Sequence, residues 1–99
     1  MNNSFSLKLQ PNDLKLKIVS WVKNKRKQFK WSQAELAERS GVSLGSIKRF
    51  ETTGKIAFES LLKIFHVLDY LEELNQVFNS DESAAEVERL FTSQNENTK

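Results

Sequence analysis

Apolar side chains recur at helical spacing through most of the chain, separated by short polar segments. The first run predicts a helix over residues 13–28, and its inward stripe holds four side chains: Leu14, Ile18, Trp21 and Val22. A later run, apolar around most of its circumference, predicts a helix over residues 58–69 that is buried on more than one side. Further stripes predict a helix over residues 70–79 and a weaker, acidic one over residues 80–91. The pattern therefore predicts an all-α protein.

Residues 31–54 carry the signals of two short helices joined by a tight turn. Ser32 followed by Glu35 is a capping box, which begins a helix. Gly41 stands where the chain must turn with positive φ, and Ser43 can cap the next helix. Two helices joined by about three or four residues need such small and turn-forming residues where they meet.

The second short helix has two different faces. Ile47 and Phe50 are spaced to point inward, with Val42 as an apolar plug ahead of them. The outward positions hold short or cationic residues: Leu44, Gly45, Lys48 and Arg49. This face is therefore free to meet a partner.

From Ser32 onward, the chain resembles the helix-turn-helix of the phage repressor and Cro family, also called XRE-like domains. The residues that carry the resemblance follow the order S-Q-x-E-L-A-x-x-S-G-V-S-x-x-x-I-x-x-x-E. The resemblance covers residues 14–74. It implies a five-helix repressor-like domain that binds double-stranded DNA and regulates transcription. An arbitrary helical hairpin within a bundle is the alternative.

The resemblance also implies a set of DNA-contacting residues. Base contacts fall to the outward residues of the recognition helix: Leu44, Gly45, Lys48 and Arg49. Phosphate contacts fall to five others: Gln33, Ser43, Ser46, Lys55 and Lys30. Gly45 lets the backbone come close to DNA, which shifts specificity toward DNA shape. Because only Lys48 and Arg49 are strong base readers, we expect a homodimer on an inverted-repeat operator.

Four residues carry further expectations from the resemblance. Arg26 and Glu51 match positions that often form a structural ion pair between the first helix and the end of the recognition helix. Lys30 stands where the family often has glycine. Trp31 is expected to reach into the core, where the family usually has leucine.

Charge is divided along the chain, although the net charge is only +2. Residues 1–31 hold eight Lys or Arg and one Asp (+7), residues 32–55 hold four against three (+1), and residues 56–99 hold three against nine (−6). A basic front half suits DNA phosphates, since each neutralised phosphate releases counterions. The acidic rear half should point away from DNA, and is free for a protein partner.

Residue types that most enzymes and metal sites need are scarce. The chain has no cysteine, one histidine and three glycines, and it shows no His/Cys cluster, no Gly-rich phosphate loop and no Ser/His/Asp motif. No apolar run approaches the roughly 18 residues of a membrane span, and no secretory signal is evident. We expect a cytoplasmic protein that is not an enzyme and needs no cofactor or metal.

The two ends of the chain differ from its middle. Residues 1–11 form an arm in which Phe5, Leu7 and Leu9 alternate with polar residues, which fits either a flexible arm or a strand that pairs with its copy in a dimer. Residues 12–79 form the predicted DNA-binding domain, followed by the sixth helix over residues 80–91. Residues 92–99 are all polar, and disorder is expected there.

A narrower resemblance lies in residues 43–74. This part of the chain is similar to antitoxins encoded beside HipA-type kinase toxins. The similarity is carried by the motif S-x-x-S-[IL]-K-R-F-E-x-T-G followed by S-L-L-K. That resemblance implies a repressor of its own promoter that also binds a HipA-like kinase toxin. The alternatives are an ordinary phage or chromosomal repressor, and an interaction module that has lost DNA binding.

Overall fold

The computed structural model describes residues 8–79, which form five α-helices and no strand. Their bounds are α1 Pro11–Gln28, α2 Gln33–Ser40, α3 Leu44–Thr53, α4 Phe58–Val67 and α5 Leu71–Val77. The all-α, five-helix expectation is thus confirmed for this part of the chain. The sixth helix, the polar tail and residues 1–7 of the arm lie outside the described residues. The chain divides into two compact units at Tyr70, so α1 to α4 belong to the first unit and α5 to the second.

Helix α1 begins two residues earlier than predicted, because proline opens it. Pro11 occupies the first helical position, where its missing N–H leaves no bond unmade. Asp13, expected at the start of the helix, instead lies in the first turn, where its carboxylate accepts a hydrogen bond from the Gln10 backbone N–H at 3.0 Å. The negative charge also suits the positive end of the helix dipole.

The buried side of α1 lies nearer its C-terminal half than the periodicity predicts. Val19, Val22 and Arg26 are buried, whereas Leu14 is 47% exposed. Helix α1 packs against α3. At its N-terminal end, Leu14 lines an apolar cavity of about 270 Å³, together with Phe50 from α3 and other residues.

The turn between α2 and α3 forms as predicted. Gly41 ends α2 in the left-handed conformation, with φ of 79°. Val42 is 5% exposed, and the neighbouring core residues Leu36 and Ile47 are fully buried. Helix α4 packs against α2 and helix α1 packs against α3, so the short hairpin is held from two sides.

The turn between α1 and α2 forms without glycine. Lys30 adopts φ of 63°, the left-handed conformation that glycine would take more easily. The Trp31 backbone N–H donates to the Arg26 carbonyl at 3.1 Å, which closes the end of α1. The Trp31 indole is only half-buried, and it contacts the Phe29 ring edge-on at 4.8 Å. The expectation that it reaches into the core is therefore wrong.

Helix α4 is two residues shorter than predicted, since Leu68 caps it and Asp69 turns away with φ of 63°. Ile64, Phe65 and Leu68 are buried, but Phe58 is 75% exposed. The expected burial around α4 thus holds at its C-terminal end and fails at its first residue.

In the second unit, α5 is also shorter than predicted, and Phe78 at its end is 70% exposed. Among residues 8–79, no helix has the length and apolar character that crossing a membrane would require.

Candidate nucleic-acid interface

Helix α3 buries one side and exposes the other. Ile47 is fully buried, Phe50 is 2% exposed and Glu51 is 8% exposed. The exposed side carries the four residues expected to contact bases: Leu44, Gly45, Lys48 and Arg49. Within residues 8–79, neither Lys48 nor Arg49 has an ion-pair partner, so both charges are available to an anion.

Two serines organise the start of α3. The Ser43 hydroxyl oxygen accepts from the Ser46 backbone N–H at 3.1 Å, which caps the helix. The same hydroxyl donates to the Ser46 oxygen at 2.9 Å. Ser43 therefore uses its proton inside the protein, while the Ser46 proton remains able to reach a phosphate. The structure thus brings both predicted phosphate-contacting serines together at the start of α3, but only Ser46 keeps a hydroxyl proton that it can donate to a phosphate.

Gln33, the first residue of α2, is joined to the end of α3. Its side-chain amide donates to Glu51 Oε1 at 2.9 Å. An amide nitrogen has two hydrogens, so one remains for a phosphate oxygen. The bond to Glu51 thus holds the predicted phosphate-contacting amide in one orientation.

Arg26 and Glu51 form a bidentate ion pair between α1 and α3. Arg26 Nε and Nη2 donate to the two Glu51 carboxylate oxygens at 2.8 Å and 3.0 Å. Arg26 Nη1 donates to the Trp31 carbonyl at 2.8 Å. Both charged residues are 8% exposed. Since Gln33 bonds to the same carboxylate, one buried network ties α1, α2 and α3 together and sets the angle at which α3 is presented.

Lys30 and Lys55, the two remaining predicted phosphate contacts, lie in loops. Lys30 is exposed in the turn before α2, and Lys55 is exposed just after Gly54 ends α3. The Lys55 backbone N–H donates to Thr53 Oγ1 at 3.1 Å, which orders the start of that loop. Both ammonium groups are open to solvent, as a contact with DNA phosphates requires.

Arg39 was not singled out in the sequence, although its spacing from Glu35 was visible. Its Nη2 pairs with the Glu35 carboxylate at 3.0 Å, one helical turn earlier. Its guanidinium also lies over the Trp31 ring, 4.4 Å from the centroid. The sequence predicts that the Glu35 carboxylate completes a capping box with Ser32, but this carboxylate pairs with Arg39 instead. Of the two capping-box bonds, only one is made: the Glu35 backbone N–H donates to the Ser32 hydroxyl oxygen at 3.0 Å.

The site is built for charge and shape recognition. Across residues 8–79, no three His, Asp or Glu side chains come together as ligands of a metal ion would. The residues predicted to contact DNA instead offer cations, hydroxyls and one amide, which are donors suited to phosphate and to base edges.

One comparison with known proteins agrees with this geometry. A family model described as Helix-turn-helix (HTH_3) matches residues 22–75, more than half of the 99 residues. No curated protein and no solved structure gives a match. The matched residues include α2, the Gly41 turn and α3. The chain therefore belongs to the XRE-type helix-turn-helix family HTH_3, and it is a DNA-binding transcription regulator.

Proposed function

We propose that this protein is a sequence-specific repressor that places α3 in the major groove of its operator. The observation that carries the proposal is the division of α3, with Ile47, Phe50 and Glu51 buried and the four outward residues exposed. In such domains the recognition helix contacts base edges while the preceding helix crosses the backbone. The exposed side of α3 therefore faces the bases.

Each outward side chain suits a particular base edge. Arg49 and Lys48 donate to O6 and N7 of guanine, where a good bidentate contact contributes about 1–3 kcal/mol of discrimination. Leu44, 37% exposed, contacts the methyl group of a thymine. Two cations and one apolar side chain read only a short half-site.

Phosphate contacts position α3 without reading sequence. The Gln33 amide, held by Glu51, and the free proton of the Ser46 hydroxyl donate to backbone phosphates from the starts of α2 and α3. Lys30 and Lys55 add cationic contacts from the flanking loops. These contacts give binding its dependence on salt.

A short half-site favours a homodimer, which we include in the proposal. A dimer reads two half-sites about one helical turn, roughly 34 Å, apart, so the operator is an inverted repeat. Exposed apolar side chains support self-association, since Phe58 is 75% exposed and Phe78 is 70% exposed.

The test is selection of genomic DNA by the purified protein. Fragments of the source genome are incubated with the protein, recovered and sequenced, and a Lys48→Ala/Arg49→Ala variant is run beside it. A Lys17→Ala/Lys63→Ala variant is the matched control, because it removes the same charge from exposed positions of α1 and α4. The expected result is one enriched inverted repeat that the α3 variant loses and the control retains.

Two other results would count against the proposal. If both double variants lose the repeat equally, charge alone explains binding and the base contacts are misassigned. If the wild-type protein enriches no sequence and its affinity for duplex DNA does not fall as salt rises, the chain is an interaction module that has kept the fold without DNA binding.

We further propose that the repressor is an autoregulating antitoxin that binds a HipA-like kinase toxin. The proposal is supported by the motif in residues 43–54 and by the acidic rear half of the chain. Much of that motif has a structural task in this fold: Ser43 caps α3, Phe50 fills the core and Glu51 pairs with Arg26. The competing possibility is therefore an ordinary XRE-type repressor.

The two possibilities differ in what the neighbouring gene encodes. The antitoxin proposal requires a HipA-type kinase gene beside this one, a stable complex of the two purified proteins, and suppression of the kinase's toxicity on co-expression. Binding to the protein's own promoter without such a kinase would leave an ordinary autorepressor.

A further inference from the structure

An apolar cavity of about 270 Å³ lies between the first turns of α1, the end of α3 and the start of α4. All of its lining belongs to the first unit. Six of the lining residues are apolar: Pro11, Leu14, Ile18, Phe50, Ile56 and Leu61. Because Leu14 is 47% exposed, the cavity reaches the surface. Apolar walls offer water few hydrogen-bond partners, so the cavity favours an apolar occupant.

The chain itself leads up to this cavity. Pro11 lines it, and residues 8–10 enter Pro11 directly. Gln10 is extended, with φ of −102° and ψ of 157°, and its backbone N–H donates to the Asp13 carboxylate at 3.0 Å. The arm that precedes α1 is therefore attached at the edge of the cavity, by a residue whose backbone is held in place.

The arm carries apolar side chains within reach of the cavity. Phe5, Leu7 and Leu9 alternate with polar residues, and Leu9, the one of the three that the structure describes, is 53% exposed. Phe5 stands six residues before Pro11, so its Cα can lie up to about 20 Å from that of Pro11. This length of chain is enough to turn back and return the Phe5 ring to the cavity mouth.

We propose that the Phe5 ring of the same chain occupies this cavity. An apolar cavity of about 150 Å³ is enough to hold benzene, so one of about 270 Å³ has room for a phenyl ring. Occupancy removes apolar surface from water on the ring and on the cavity walls together. Since Phe50 and Gly54 belong to α3 and line the cavity, the ring supports the end of the recognition helix from its buried side.

The short connection favours the chain's own ring over that of a second copy. A group held by a short flexible linker is present at an effective concentration on the order of millimolar. A second copy of the protein at micromolar concentration competes poorly with such a ring. The inference does not depend on DNA binding, because the cavity and the arm are on the buried side of α3.

The first test uses the full chain, with benzene as the probe. Phe5→Ala should lower Tm by about 6 °C or more, because the burial of the ring is lost. Benzene should then raise the Tm of Phe5→Ala by about 3 °C or more, since it enters the emptied cavity and binds only the folded state. It should raise the wild-type Tm by less than about 1 °C, because the cavity is already filled.

Leu16→Ala is the matched control. Leu16 is 54% exposed on α1 and does not line the cavity. Its removal should change Tm by less than about 3 °C and should leave the response to benzene as in the wild type.

NMR identifies which chain supplies the ring. The methyl groups of Ile18 and Ile56 should show cross-peaks to aromatic protons that disappear in Phe5→Ala, when both groups are labelled on the same chain. A mixture that carries the methyl label on one copy and the aromatic protons on another should show none of these cross-peaks.

Three results would overturn the inference. One is an equal rise in Tm with benzene for the wild type and Phe5→Ala, which means that the ring does not occupy the cavity. Another is a set of methyl cross-peaks that Phe5→Ala leaves unchanged. The third is their appearance in the mixture, which gives the cavity to the arm of a second copy. No DNA enters these measurements, so failure of the proposed function leaves their results unaffected.

Discussion

Arg26 provides the sharpest test of how this fold holds its recognition helix. Arg26→Met keeps the alkyl stem and removes the guanidinium, which makes three hydrogen bonds: two to Glu51 and one to the Trp31 carbonyl. The Glu51 carboxylate, 8% exposed, would then keep only the amide of Gln33 as a partner. A buried charge would be left without its opposite charge.

The expected loss is large for so small a domain. Removing one partner of a buried ion pair costs about 3–5 kcal/mol. A domain of this size has a free energy of unfolding of about 4–10 kcal/mol, from roughly 0.05–0.15 kcal/mol per residue. Arg26→Met should therefore lose roughly a third or more of the free energy of unfolding. Arg26→Met/Glu51→Leu removes both charges, and should lie within about 2 kcal/mol of the wild type. Water can replace the lost partners of half-buried Gln33 and Trp31.

The measurement is urea unfolding followed by circular dichroism and by the fluorescence of Trp21 and Trp31. A double-mutant cycle of Arg26→Met, Glu51→Leu and the double variant isolates the pairwise energy. If Glu51→Leu costs as much as Arg26→Met, the two single losses together exceed the loss of the double variant by about 4 kcal/mol or more, which is the expected coupling. Two results would refute the claim that Arg26 and Glu51 form a buried ion pair that stabilises the fold. One is a double variant whose loss of unfolding free energy equals the sum of the two single losses. The other is a loss below about 1 kcal/mol for Arg26→Met.

Three further predictions follow from single residues. Gly54→Ala should lower stability by about 1–2 kcal/mol, because φ is 79° and the new Cβ would lie 2.9 Å from Lys15 Cγ and Cδ; an unchanged Tm would contradict this. Lys30→Gly should stabilise the fold by about 1 kcal/mol, since the φ of Lys30 is 63°. The same change should reduce the slope of log affinity for DNA against log salt concentration by about 1, because one phosphate contact is lost. An unaltered slope would show that Lys30 does not contact a phosphate. Phe78→Ser should shift the mass measured by sedimentation toward the monomer, because the ring is 70% exposed; an unshifted mass would place the dimer interface elsewhere.

Local signals predicted the helix-turn-helix well because its geometry is set within a few residues. Ser43 caps the helix that follows it, and Gly41 takes the positive φ that its turn needs. Both effects depend on backbone atoms no more than four residues away. The outward positions of α3 follow from helical periodicity once Ile47 and Phe50 are known to be buried.

Burial at the ends of helices was predicted less well. Leu14 and Phe58 both belong to apolar stripes, yet they are 47% and 75% exposed. A stripe shows which side of a helix is apolar, but not how far along the helix its neighbour extends. That length depends on where α1 and α4 meet other helices, which involves residues distant in sequence.

The sequence by itself determined the class of the protein, the positions of α2 and α3, and the outward residues of the recognition helix, since each depends on periodicity and local capping. Only the tertiary structure decided that Gln33 shares Glu51 with Arg26, that Arg39 lies over Trp31, and that a Cβ at position 45 would meet open space. These facts concern atoms brought together from separate helices, or the open space left beside them. No local pattern contains that information, because it depends on how the helices pack in three dimensions.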